Sequence, residues 1–587
     1  MTAQTYHRRL ALTVAAVALL GNALPPASVT VPPLAAERSD PDLVRESLYV
    51  PVRDGTRLAV NIYRPVKGNR VVDTPLPIVF AFTPYRARYI DKDGKLVDLL
   101  DSPVFGLRAL VKAGFVVATA DVRGKGASFG ARRGFLDQTE ARDGHALIEW
   151  LAKKPWSNGK VGMVGCSYLG GSAMLVAGTL PPSLRAVFAA ATDLDKYSFV
   201  RNGGITGQFN TRPDEPSEVD LASVPVDADR DGALLRAAVA EHDGNTPMAA
   251  LWYGMPHRDD ISPLTKTRFW EEVGPYTHLK ALQSPQLAWL LWSNWEDEPT
   301  EQMILAAANL KSRIFIGPGS HCAPPTVFDI VAEQKQFFDH YLKGIDNGFE
   351  RGPRASWYSE TPGKGAGAGT MVHSDTLPGV GVPRFPLYLA GSRGIAATPS
   401  ASSKVPFTVD YDVGQGEYFS FWPPSQEGRG LSFTSPPLAQ DAAMTGYPIA
   451  HITTALDRPD ANLFAYLEDV APSGKAYMVS FGRLAASHRK PGRAPYDRLD
   501  LPYHSGLRAD ALPMVPGKAA ELAFAMVPRA FTFAAGHRLR ITLTGADPRQ
   551  RNLSAIKQTP PPVFTVSTGG TAASRIDIPF TTKPTFR

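Results

Sequence analysis

The stretch Val161-Gly162-Met163-Val164-Gly165-Cys166-Ser167-Tyr168-Leu169-Gly170 decides how this chain folds. Residues 161–164 form an apolar run of strand length, and the small-residue stretch 172–178 reads as a helix. Only a sharp turn fits between them, and Ser167 sits at its apex. A strand that turns abruptly into a helix presents such a serine above the sheet edge, the geometry of a nucleophile elbow. Glycines flank the serine because the strand and helix backbones pass close together there. The pattern departs from G-x-S-x-G, since the second glycine comes one place later. The plain alternative for Ser167 is a helix N-cap.

Around this turn lie further solid apolar runs, at 78–82, 115–120, 184–191, 287–292 and 314–316. Runs of this length fit strands buried on both faces, as in a parallel sheet covered by helices. Helical patterns separate them. From 143 to 153, Ala146, Leu147, Trp150 and Leu151 share one stripe. The alternation predicts an α/β fold over 41–195 and 280–355. Two strands with a turn at Arg53-Asp54-Gly55 precede it, the second marked by alternation in Leu58, Val60 and Ile62. Residues 196–279 break the pattern with short helical runs and prolines, and read as a helical cap inserted over the sheet. A glycine-rich linker at 363–369 introduces 356–587, where short β-type runs recur between Gly/Pro turns, as in an all-β sandwich.

Composition agrees. The chain has 51 glycines and 52 prolines among 587 residues, above the usual combined share of ~12%, so a helical bundle is excluded. Two cysteines exclude a multi-cysteine zinc framework or a disulfide-dense scaffold. A net charge of +6 without a long basic run gives no reason to expect nucleic-acid binding. Arg8-Arg9, the apolar run 10–20 and small residues at a cleavage point, Gly21-Asn22-Ala23 or Leu34-Ala35-Ala36, make residues 1–40 an expected export signal and linker. The expected location is therefore periplasmic or secreted. That run is too short to span a bilayer comfortably, no later segment looks transmembrane, and no stable membrane insertion is expected.

A serine hydroxyl needs a histidine to take its proton and a carboxylate to orient that histidine, in the chain order Ser, acid, His. Of twelve histidines, His7 and His145 precede Ser167. His242, His257 and His278 lie in the cap and His373 in the linker. His451, His488, His504 and His537 lie in the β region, and His340 sits on an amphipathic helix as packing. His321 follows the strand at 314–316 and a Gly317-Pro318-Gly319-Ser320 turn, where a base belongs. The acid belongs after the preceding strand, in Trp295-Glu296-Asp297-Glu298. Asp297 is chosen, with Glu296 and Glu298 as rivals that spacing alone does not separate. The same cluster also reads plainly as helix-start capping.

With these residues in place, the chain resembles the CocE/NonD hydrolases, relatives of cocaine esterase and X-Pro dipeptidyl-peptidase that include α-amino acid ester hydrolases and cephalosporin acylases. The resemblance spans about 45–587. It rests on Thr83-Pro84-Tyr85, Asp121-Val122-Arg123-Gly124-Lys125-Gly126-Ala127-Ser128, the Ser167 segment, Ile316-Gly317-Pro318-Gly319-Ser320-His321 and Phe338-Asp339-His340-Tyr341-Leu342-Lys343-Gly344. It implies an α/β-hydrolase core, a helical cap and a C-terminal jelly roll over 356–587. It places Ser167, His321 and Asp297 on the family's triad, and Tyr85 on an oxyanion-hole tyrosine beside the backbone N–H of Tyr168. Asn294-Trp295-Glu296-Asp297 departs from the family's Gly-Trp-aromatic-Asp in two places, and Arg86 stands where Asp is common. The amino-ester branch holds a substrate ammonium with extra carboxylates. Glu296, Glu298 and Glu301 offer such groups, but Pro299 and Tyr197-Ser198 speak against an obligatory α-amino substrate.

Asp227-Ala228-Asp229-Arg230-Asp231-Gly232 begins like a calcium loop but lacks the closing glutamate, Ala238 standing there. It is expected to cap the helix near Ala233 through Asp231, and no metal is expected. Cys166 and Cys322 each neighbour a proposed catalytic residue. The expectation is two unlinked thiols pointing apart. The whole predicts a cofactor-free serine hydrolase acting on a small-molecule ester, with amide-cleaving acylase or X-Pro peptidase activity as the alternative. A catalytically inactive exported binding protein is the rival from another class.

Overall fold

The computed structural model describes residues 40–206, 215–365, 367–414, 420–550 and 553–587, so the expected export signal lies outside the described residues. The main core strands are β1 (Leu43–Pro51), β2 (Arg57–Lys67), β3 (Leu76–Thr83), β4 (Val116–Asp121), β5 (Ser157–Cys166), β6 (Leu184–Ala190), β7 (Ala288–Glu296) and β8 (Arg313–Ser320). They lie side by side in the order β1-β2-β4-β3-β5-β6-β7-β8. The first two pairings are antiparallel and the rest parallel. This is the α/β sheet that the strand–helix alternation predicts, in the α/β-hydrolase arrangement that the resemblance implies.

The continuous apolar runs follow from burial on both faces. In β3, Ile78, Phe80 and Phe82 enter one core while Val79 and Ala81 enter the other, the two-residue period of a strand turned to both sides. Helices α2 (Gln138–Ala152), α3 (Tyr168–Gly178) and α5 (Thr300–Leu310) cover the first face through Leu147, Ile148, Val176 and Ile304. Helices α1 (Leu107–Lys112) and α6 (Ile330–Lys343) cover the second through Leu110, Phe337, Phe338 and Leu342. Asp137 starts α2 by accepting the N–H groups of Thr139 and Glu140.

Between β6 and β7 the chain forms short helices, among them α4 (Ala233–Glu241). Asp231 accepts only the Ala233 N–H. Asp229 accepts from both Leu234 and Leu235, at 3.0 and 2.8 Å, and is the main capping carboxylate. The capping role expected of this segment therefore falls two residues earlier than expected. Asp227 meanwhile pairs with Arg45 and the Ser47 N–H.

The sheet does not stop near 355 as expected. Strand β9 (Ala355–Glu360) pairs in parallel with β8, and β10 (Gly369–Ser374) pairs antiparallel with β9. The glycine-rich segment read as a linker is the turn of this hairpin, and His373 lies on its second strand. The reason is burial: residues 355–358 of β9 are covered on both sides. Of the later strands, β11 (Ala442–Gly446), β12 (Ile449–Leu456), β13 (Asn462–Val470), β14 (Ala476–Ala485), β15 (Arg529–Phe533) and β16 (Arg538–Thr544) matter most here. Strands β15 and β11 extend the central sheet beyond β9. A seven-stranded sheet around β12 and a four-stranded sheet containing β16, β13 and β14 pack across a shared apolar core, as in a jelly roll. Among the described residues, no helix is long and apolar enough to cross a membrane.

Candidate active site

Strand β5 ends at Cys166, and Ser167 takes φ +61°, ψ −127° before α3 begins. This sparsely populated backbone conformation is what a sharp strand-to-helix turn demands. Both glycines are needed: a Cβ on Gly165 would run into the Leu169 backbone, and one on Gly170 would come within 2.7 Å of the Ala190 carbonyl. The Ser167 N–H is bonded to that same carbonyl at 2.9 Å, which ties the elbow to β6. Ser167 has no side-chain capping hydrogen bond to α3, so the helix-cap alternative does not describe it.

Tyr168 opens α3, so its N–H has no partner within the helix. Its side chain points down into the core. The hydroxyl donates to Glu140 at 2.5 Å and accepts the Leu136 N–H at 3.2 Å. Ser172 also donates to Glu140, at 3.0 Å. Burial pushes the Glu140 carboxyl up to about 7. Tyr85 lies just beyond β3, 37% exposed, with its ring edge-on to Tyr168 at 6.1 Å. Its loop is set by Thr83 Oγ1, which accepts the Tyr85 N–H at 3.0 Å, and by Asp121, which accepts the N–H groups of Ala87 and Ala127. Asp121 is buried and burial pushes it up to about 7. Arg86 reaches into the cap insertion, donating to the Val219 carbonyl at 2.9 Å.

His321 follows β8. Its Nδ1 lies 3.0 and 2.9 Å from the two carboxylate oxygens of Asp297, which is fully buried. Burial pushes Asp297 above the ordinary carboxylate value, and the imidazole beside it pulls the other way. The two acidic rivals, and Glu301 beyond them, are occupied elsewhere. Glu296 accepts from Tyr477 and Arg529, Glu298 from Arg483 at 2.5 Å, and Glu301 from Arg498 and Asn202. All three arginines belong to the C-terminal β region. Asp297 is thus the one carboxylate of this cluster turned to the histidine.

Three features were not foreseen. Phe421, from the C-terminal region, stacks on the His321 imidazole with ring centroids 4.3 Å apart and planes 19° apart. Asn294 donates from Nδ2 to the carbonyls of Ser320 and Ala323, at 2.8 and 2.7 Å, and so grips the His321 loop on both sides. The sequence flagged Asn294 only as a departure from glycine. Third, Cys166 and Cys322 are joined in a disulfide, with Cα atoms 6.1 Å apart. The expectation of unlinked thiols is therefore corrected. The loop after β8 folds back over the sheet edge toward the elbow and turns the two side chains together. Closing a loop of 156 residues stabilises the fold by about 5 kcal/mol in the chain-entropy picture.

Among the described residues, no group of three His, Cys, Asp or Glu side chains is arranged to hold a metal ion. The arrangement offers an elbow serine, a carboxylate-oriented imidazole, and a tyrosine with a backbone N–H beside the elbow. This is the constellation for acyl transfer through a serine.

Known proteins share this architecture. A family model described as X-Pro dipeptidyl-peptidase (S15 family) matches residues 54–323, and one described as X-Pro dipeptidyl-peptidase C-terminal non-catalytic domain matches 347–576. A Mycobacterium bovis protein carrying the name of a serine esterase is 28% identical, over 91% of this chain and 95% of its own. The cocaine esterase of a Rhodococcus species is 22% identical over 86% and 91%. A CocE/NonD family hydrolase from Staphylococcus aureus has the same fold, with a TM-score of 0.69, 19% identity and coverage of 92% and 94%. The chain is a hydrolase that joins an S15-type domain over 54–323 to a domain of the C-terminal non-catalytic kind over 347–576.

Proposed function

We propose that the protein cleaves carboxylic esters of small molecules through an acyl-enzyme on Ser167. His321 Nδ1 is engaged by Asp297, which leaves Nε2 as the basic atom. Nε2 takes the Ser167 proton as Oγ attacks the carbonyl. The tetrahedral oxyanion is held by the Tyr85 hydroxyl and the Tyr168 N–H, donors of a kind worth about 3–4 kcal/mol each. The imidazolium then gives its proton to the leaving alkoxide. Water, deprotonated in turn by His321, releases the acid from Ser167. No step needs a cofactor. The observation that carries this reading is the His321–Asp297 pair, with His321 on a loop bonded covalently to the serine elbow.

The fate of the acidic cluster favours esters over α-amino substrates. Glu298 and Glu301 are buried and each faces an arginine, so neither is available to bind a substrate ammonium without leaving an arginine unpaired. The second reading, amide cleavage of the X-Pro peptidase or acylase kind, is favoured by the family description alone. A panel of p-nitrophenyl esters against Gly-Pro-anilide separates the two: turnover of the anilide only would reject the esterase reading. Export belongs to the same proposal. The Arg8-Arg9 and apolar pattern at 10–20 supports it, as does a disulfide that persists only in an oxidising compartment. A fluorophosphonate probe tests the inactive-binder rival. Labelling of wild type that vanishes in Ser167→Ala supports catalysis, and absence of labelling in wild type supports the rival.

A further inference from the structure

We infer that the Cys166–Cys322 disulfide is a positioning clasp for the reaction proposed above, holding the serine elbow and the histidine loop in reacting register. The inference rests on that reading of Ser167 and His321. Each cysteine is the immediate neighbour of one of the two groups between which the proton passes.

The sheet explains why a clasp is needed. Strands β5 and β8 are separated by β6 and β7. Three strand spacings of ~4.8 Å put their axes about 14 Å apart. Yet the Cα atoms of Cys166 and Cys322 are 6.1 Å apart. The segment after β8 must therefore fold back across the carboxyl ends of β7 and β6. Cys322, within the fold-back, takes a left-handed φ of +53°, a conformation that non-glycine residues adopt rarely and that the surroundings must impose. Asn294 holds the segment from β7 by its two carbonyl bonds, and Asp297 holds the imidazole. Both of these anchors tie His321 to β7. Among these anchors, the disulfide alone ties it to the strand that carries the nucleophile.

This division of labour predicts a local effect. With the disulfide open, Asn294 and Asp297 keep the loop folded on β7, while its distance to the elbow is released. Cys166 is buried and Cys322 is half-buried, so a small dithiol approaches from the Cys322 side. The dithiol gives up two electrons and two protons and closes to its own cyclic disulfide. The sulfur–sulfur bond breaks, and one proton ends on each of the Cys166 and Cys322 sulfurs.

The test compares oxidised wild type, wild type reduced with dithiothreitol and then reoxidised, and Cys166→Ala/Cys322→Ala. The readouts are p-nitrophenyl ester kinetics, the rate of fluorophosphonate labelling at Ser167, and near-UV circular dichroism. The expected result is a 10- to 100-fold fall in kcat, the scale of an ångström-level misplacement. KM should stay within about twofold, since ground-state binding does not use the Ser–His register. The labelling rate should fall by the same factor as kcat, near-UV signal should be retained, and reoxidation should restore activity. Unchanged kcat and labelling with only a lower melting temperature overturns the inference. So does loss of near-UV signal together with activity, in both the reduced protein and the alanine variant, because the disulfide is then a global staple. Absence of labelling in oxidised wild type instead removes the serine-hydrolase reading, and the clasp with it. Labelling that is present but indifferent to reduction removes the clasp alone.

Discussion

Replacing Asp297 by asparagine is the sharpest perturbation of the proposed site, because the structure offers no substitute for it. The side chain is fully buried, and both of its oxygens lie within 3.0 Å of His321 Nδ1. An amide is nearly isosteric, so packing survives. What changes is the proton logic. A carboxylate accepts the Nδ1 proton and stabilises the imidazolium that forms as Ser167 is deprotonated. An amide loses that charge, and its NH2 group favours the tautomer whose lone pair faces the wrong way. The loss expected from removing the orienting charge while keeping its shape is on the order of 10³–10⁴ in kcat, or about 4–5.5 kcal/mol of transition-state stabilisation.

The neighbouring carboxylates supply the control. Glu296→Gln and Glu298→Gln leave the His321 contact untouched. Glu298→Gln strips the buried Arg483 of its partner, so its effect should appear in the melting temperature, while kcat per folded molecule stays within the wild-type order of magnitude. The assay is steady-state hydrolysis of a p-nitrophenyl ester, normalised to the active fraction by fluorophosphonate titration. If Asp297→Asn kept more than about a tenth of wild-type kcat, a cost under about 1.4 kcal/mol, while Glu298→Gln lost it, the assignment of the acid would be wrong.

Tyr85→Phe should lower kcat by about 10²–10³ with little change in the melting temperature, because the ring is 37% exposed and the proposed role of its hydroxyl is to hold the oxyanion; ester kinetics and a thermal melt check both parts. Phe421→Ala removes the ring stacked on His321, an interaction of the class worth about 0.5–1.5 kcal/mol, and should cut kcat/KM by a few-fold to about tenfold with Ser167 still labelled by fluorophosphonate. The buried Glu140 and Asp121 make stability fall with rising pH. Each has a folded pKa raised to about 7, so the folded state binds more protons than the unfolded one between roughly pH 4 and 7, and the stabilisation present at low pH is lost as pH rises through 7. Glu140→Gln removes one of these groups, a contribution on the order of 3 kcal/mol, and should make the decline in urea midpoint between pH 5 and 8 shallower; a slope equal to wild type would show that Glu140 is not held protonated.

What could be read from the sequence was whatever depends on local periodicity. Runs such as 78–82 fit strands buried on both faces, because their length suits a strand and helical patterns separate them. A strand, a glycine-flanked serine and a small-residue helix leave Ser167 one conformation. His321 followed from the same logic, a histidine in a turn directly after a buried strand. The features that escaped depend on side-chain directions set by distant segments. The pairing of Cys166 with Cys322 needs the fold-back of a loop across two strands, which no spacing encodes. Asn294 looked like a defect in a motif because its partners, two backbone carbonyls, carry no sequence signature. The hairpin of β9 and β10 was mistaken for a linker because Gly363, Gly365, Gly367 and Gly369 mark turns and flexible connections alike.

The choice among Glu296, Asp297 and Glu298 shows why the C-terminal domain belongs to the site rather than hanging from it. Three adjacent acids at one strand end would repel each other and compete for the same imidazole. Arg529 and Arg483 remove the outer two from that competition, and Arg498 does the same for Glu301 one helical turn on. These arginines come from β15, from β14 and from the segment between β14 and β15, all far downstream in the chain. The same domain lays Phe421 over the face of His321. Docking of the β domain therefore leaves Asp297 as the carboxylate of this cluster that faces the imidazole. In the proposed reaction, the core without residues beyond about 380 would keep Ser167, His321 and Asp297 yet lose the electrostatic partition that singles out Asp297.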